Sequence, residues 1–127
     1  MEKLHFKGSI KTPDIVLDSA KGIISIKGRS LHENATDFFA PLEKWINEYC
    51  LHPAAKTTVT FALDYFNSSS FRAFRKIIQV LDIIAGDPDK ELQVNWFYEV
   101  GDVNARESGE LLSEQLSIPF HFVELDE

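Results

Sequence analysis

Cysteine occurs once in this 127-residue sequence, at Cys50. One thiol excludes a disulfide framework and any CxxC metal site, and its place at the end of an expected helix suits an inert, buried group. Glycine is also sparse. The six glycines stand singly, so neither GxGxxG nor GxxxxGK can be built, and no GxSxG elbow is present. No apolar run approaches the ~18 residues of a membrane span. Met1 to Ile10 mixes Lys and His with apolar residues, unlike a signal peptide. The four histidines, His5, His32, His52 and His121, show no metal-ligand spacing. Basic residues are scarce in the second half. Residues 1–63 carry eight Lys and Arg against seven Asp and Glu, and residues 64–127 carry five against thirteen. That balance argues against binding a phosphate backbone, so no nucleic-acid partner is expected. The expectations are no metal, no cofactor, no membrane insertion and a cytoplasmic setting.

What the chain does have is core material. Hydrophobic residues make up 44%, with ten Phe, three Tyr and two Trp, at a net charge of −7. No linker, repeat or low-complexity tract divides it, so residues 1–127 read as one domain. Ile15–Leu17 and Ile23–Lys27 read as a β-hairpin around the turn at Asp18 to Gly22. Phe38, Leu42, Trp45 and Tyr49 recur at helical spacing over Ala35 to Cys50, capped by Asn34 or Asp37. Pro41 is awkward inside that helix unless Asp37 is the cap. Thr57–Leu63 is a strand with Val59, Phe61 and Leu63 on one side; the small set Thr58, Thr60 and Ala62 suits burial under a helix. A second helix runs from about Ser70 to Ala85, ended by Gly86. Leu92–Tyr98 is a strand. A third helix spans Val103 to Gln115, capped by Asp102 and weakened by Gly109. Phe120–Leu125 is the last strand. The order ββαβαβαβ predicts an α/β fold: a mixed sheet with helices mainly on one face.

One segment stands apart. Ser68, Ser69 and Ser70 follow a buried strand and open the second helix, where free backbone N–H groups and the positive end of the helix dipole gather. A cap at Ser69 or Ser70 needs one serine, not three. Arg72, Arg75 and Lys76 follow at once, three of the five basic residues of this half. Basic residues oppose the dipole there, and a phosphate would meet both the helix start and these cations. A docking surface for an acidic partner is the other reading. Two further classes compete: a small-molecule or lipid-binding domain with an apolar pocket, and an enzyme using Asp64, Glu99 and Asp102 at strand ends.

Tyr65-Phe66-Asn67-Ser68-Ser69-Ser70-Phe71-Arg72-Ala73 resembles the Tyr-Leu-Asn-Thr-Ser-Ser signature of SiaC-type regulatory phosphoproteins. Thr12-Pro13-Asp14-Ile15, Gly28 to Asn34, and Val94-Asn95-Trp96-Phe97-Tyr98 resemble further motifs of that family, in the family's order. The resemblance implies a STAS-like, non-catalytic partner-switch protein. It implies a histidine-kinase-like serine/threonine kinase, a metal-dependent serine/threonine phosphatase, and an effector such as a diguanylate cyclase bound by the unmodified form, which links it to cyclic-di-GMP signalling and biofilm control. The family's phospho-accepting Thr falls on Ser68, with Ser69 and Ser70 as rivals. Tyr65, Asn67, Ser69, Ser70, Phe71, Arg72, Arg75 and Lys76 are the expected partner-binding residues. The chain departs from the family at Ser68, where Thr is usual, and at His32, where Pro is usual.

Overall fold

Alternating side chains along the strands build one six-stranded sheet. The computed structural model describes residues 3–114 and 116–126. In chain order the elements are β1 (Leu4–Phe6), β2 (Asp14–Asp18), β3 (Ile23–Ser30), α1 (Ala35–Tyr49), β4 (Lys56–Phe66), α2 (Ser68–Ala85), β5 (Glu91–Glu99), α3 (Val103–Ser113) and β6 (Phe120–Leu125). The strands lie side by side in sequence order. β1, β2 and β3 pair antiparallel; β3 to β6 pair parallel. Each parallel crossover steps one strand in the same direction, and crossovers of one hand then lay all three helices on one face. The mixed α/β architecture follows the expected one with an added strand. β1 is three residues long, too short for an alternating pattern to register. It is held by pairing to β2 and by His5, whose Nε2 lies 2.9 Å from Asp14 Oδ1. Gln115, the expected end of the third helix, lies outside the described residues. Among the described residues, no helix is long and apolar enough to cross a membrane.

The core lies between the sheet and the helices. Ile15, Leu17, Ile24, Ile26, Val59, Phe61, Val94 and Trp96 meet Phe39, Ile46, Phe74, Ile77, Ile78 and Leu81 there. Thr58, Thr60 and Ala62 do not lie under a helix, contrary to expectation. They are half-buried on the face that no helix covers, while Val59, Phe61 and Leu63 take the helix side. Three helices on one face leave the small set nothing to pack under.

Two details shape the end of the sheet that matters for function. Gly28 pairs with Leu63 and Arg29 with Tyr65, so Asp64 is skipped. Gly28 takes φ +107°, a left-handed conformation suited to glycine. The extra residue reverses the facing of β4 beyond it. Tyr65 turns out to solvent, and Phe66 turns in against Phe74 and Trp96. The other detail is α1. Its cap is Asn34, whose Oδ1 accepts from Asp37 N, so Pro41 sits inside the helix. The proline is exposed, which lets the carbonyl it cannot satisfy turn to water.

Candidate functional site

The helix start expected at Ser70 begins two residues earlier. Asn67 is the cap: its Oδ1 accepts from Ser70 N at 2.9 Å. Asn is as good a cap as Ser, and it frees the serines to be the first three helical residues. The Asn67 amide also donates to the His32 carbonyl at 2.8 Å, and Asn67 N donates to the Ser30 carbonyl. The cap is thereby tied to the segment after β3. Arg75 and Lys76 consequently lie beyond the terminal turn, where the opposing dipole has faded. The expected cost of basic residues at this helix end does not apply to them.

Each serine has its own surroundings. Ser70 is fully buried; its hydroxyl donates to the Ser30 carbonyl at 2.9 Å and accepts from the Ser30 hydroxyl at 2.7 Å. Ser69 is half-buried, and its Oγ accepts from Ala35 N at 3.2 Å, satisfying a free donor at the start of α1. Ser68 is exposed, and its hydroxyl has no partner among the described residues. It lines an open hollow of about 300 Å³ with Phe66, Asn67, Phe71, Arg72 and Ser108. Tyr65 is 56% exposed nearby in sequence, and Phe71 is half-buried with its ring stacked toward Phe66.

Arg75 parts from the other two cations, since Arg72 and Lys76 line one hollow with Ser69 and Glu43. Arg72 lines the Ser68 hollow. Arg75 lines another, with Gln79, Leu111 and Leu116 between α2 and α3. Lys76 reaches α1 and pairs with Glu43 at 3.3 Å. Ser30, His32 and Ser108 join the site without a role expected from the sequence pattern. Ser30 was findable: it ends β3 next to Phe66 at the end of β4, so parallel pairing delivers it to the start of α2. Ser108, one turn beyond the α3 cap region, carried no such signal.

Of the carboxylates that suggested an enzyme, Asp102 has a structural task. Asp102 Oδ1 caps α3 by accepting from Ala105 N, and Asp64 lines the same surface hollow with it. Among the described residues, no group of three or more His, Cys, Asp or Glu is placed to hold a metal. Cys50 is half-buried, and burial pushes its thiol pKa up, away from the reactive thiolate. The space between sheet and helices, where a lipid or small ligand would enter, is filled by Trp96, Tyr49, Phe39, Phe61 and Phe74.

The fold is a one-sided α/β sheet that leaves the Ser68 hydroxyl open at the start of α2. The family model for SiaC family regulatory phosphoproteins matches residues 6–125. This chain belongs to that family and is a regulator, not an enzyme. It is 28% identical, over all of both chains, to an uncharacterized protein of Pseudomonas aeruginosa strain UCBPP-PA14. The structure of SiaC of Pseudomonas aeruginosa superposes with a TM-score of 0.87 at 26% identity, covering 98% of this chain and all of that one. A chain in the crystal structure of the diguanylate cyclase SiaD in complex with its activator SiaC, from the same organism, gives 0.87 at 25% identity, covering 96% and 99%.

Proposed function

We propose that this protein is a cytoplasmic partner-switching regulator whose Ser68 hydroxyl accepts a phosphate and whose unmodified form binds an effector, a diguanylate cyclase. A histidine-kinase-like serine/threonine kinase adds the phosphate and a metal-dependent serine/threonine phosphatase removes it, coupling the chain to cyclic-di-GMP signalling and biofilm control. One observation carries the choice of Ser68: its hydroxyl is exposed and unbonded among the described residues, whereas those of Ser69 and Ser70 hold other parts of the fold together. The SiaC–SiaD complex supports a cyclase as effector.

The switch works by charge. A phosphate adds about −1.5 to −2 charges near neutral pH. An effector that covers neutral Ser68 has to desolvate that charge, which costs binding free energy without any change of fold. Tyr65, Phe71 and Arg72 supply the aromatic and cationic surround of the docking face.

The test has two arms. Protein isolated from its source is mapped by intact mass and peptide mass spectrometry, and the phosphate is expected on Ser68. Ser68→Ala and Ser68→Asp proteins are then compared as baits. The Ala bait is expected to retain the cyclase and the Asp bait to lose it. A phosphate found only on another residue overturns the assignment; equal capture by both baits overturns the switch.

A further inference from the structure

Arg72 is a cation without a task in the fold. It is exposed and makes no hydrogen bond or ion pair among the described residues, in the half of the chain where acids outnumber bases. Its neighbours are employed. Lys76 pairs with Glu43, and Arg106 reaches Glu110 at 2.9 Å and the Tyr98 hydroxyl at 2.6 Å. Arg75 is also engaged and lines the separate hollow between α2 and α3. Arg72 lines the same hollow as Ser68, with Phe66, Phe71 and Ser108, and on its other side a hollow shared with Ser69, Glu43 and Lys76.

The spacing is that of a helical pair. Ser68 and Arg72 are four residues apart on α2, which places their Cβ atoms about 5–6 Å from each other. At that spacing a phosphate on Ser68 Oγ is within reach of the guanidinium, whose planar fork matches two phosphate oxygens. The helix start alone offers few donors to that phosphate. Ser70 N is already given to Asn67 Oδ1, and Phe71 N to the Asn67 carbonyl. We infer that Arg72 is an intramolecular clamp for the phosphate on Ser68. The clamp rests on the reading of Ser68 as the accepting residue. Phosphorylation then changes two side chains: it adds a dianion, and it withdraws the Arg72 cation from the face offered to the effector.

The test needs neither the kinase nor the effector. Phosphoserine is installed at position 68 of the full chain by genetic-code expansion, and the second ionisation of the phosphate is followed by phosphorus NMR. The ionisation in the parent is expected about half a pH unit or more below that in the Arg72→Ala protein. Arg72→Lys keeps part of the difference. Arg75→Ala, two helical turns from Ser68, leaves the parent value unchanged. The Arg72 Nε–H resonance is expected to move on phosphorylation. Identical titrations of the parent and Arg72→Ala, with an unmoved Nε–H resonance, overturn the clamp. Because the phosphate is placed by synthesis, this outcome is independent of where the cell places it, which the peptide mapping decides.

Discussion

Gly109 is expected to resist replacement by alanine although it lies inside a helix. In an exposed helix, Gly→Ala adds about 1 kcal/mol of stability. Gly109 is not exposed. It faces Trp96, and a Cβ at that position would lie 2.7 Å from Trp96 Cδ1 and Nε1 and 2.8 Å from Cγ. Ordinary carbon contacts begin near ~3.5 Å, so one partner has to retreat by roughly 0.8 Å. The indole has little room: it is 1% exposed, packed against Phe61 and Phe66, and its Nε1 donates to the Ala105 carbonyl at 2.9 Å. Overpacking of this kind costs about 1–3 kcal/mol, which matches or exceeds the propensity gain. The net expectation for Gly109→Ala is a loss of up to about 2 kcal/mol, or a Tm lower by up to about 8 °C.

Thermal and urea unfolding by circular dichroism measure this, with Gly86→Ala as the control. Gly86 has φ −80°, and its nearest obstacle is the Ile83 carbonyl at 3.5 Å, so alanine there is expected to stabilise by about 0.4–1 kcal/mol. A Gly109→Ala protein more stable than the parent refutes the close approach of α3 to Trp96. The functional stake is the distance of α3 from the sheet. Ser108, the next residue, walls the hollow beside Ser68.

Ser70→Ala is expected to lower stability by about 1–3 kcal/mol, because it strands the buried Ser30 hydroxyl that now donates to Ser70. Ser30→Ala in the same protein should recover part of that loss, and equal unfolding midpoints for Ser70→Ala and parent would contradict it. His32 supplies a pH dependence. Its ring is stacked on Phe38, its Nε2 is buried without a partner among the described residues, and burial lowers its pKa from 6.5. The unfolded chain therefore binds the proton more readily, so this contribution to stability is complete above about pH 6.5 and is lost as the pH falls through the lowered value. Urea midpoints between pH 7.5 and 5 should fall less steeply for His32→Phe than for the parent; parallel curves would exclude His32 as the source.

The fold was legible wherever a pattern was long enough to repeat. The stripes Phe38–Leu42–Trp45–Tyr49 and Phe74–Ile78–Leu81 locate α1 and α2, and Val94–Trp96–Tyr98 locates β5. Features set by a partner elsewhere in the chain were not legible. β1 exists through its pairing with β2. The small residues of β4 look buried until the sheet order puts every helix on the opposite face. Gly109 looks like a weakness of α3 until Trp96, thirteen residues earlier, is seen to fill the missing side chain's place. The same holds at the site. Three serines mark the place, but their separate duties depend on Ser30 and Ala35, 40 and 34 residues away.

Those duties explain how a modification here can act without unfolding anything. The start of α2 is fixed by Asn67, which holds Ser70 N, the His32 carbonyl and the Ser30 carbonyl at once. Ser69 and Ser70 bind this helix to α1 and β3 through their hydroxyls. A phosphate on either would have to break one of those bonds, and on Ser70 it would also enter the core. The Ser68 hydroxyl bonds to nothing among the described residues, so a charge added there breaks none of these bonds. On the proposed reading, the change is confined to the surface offered to an effector.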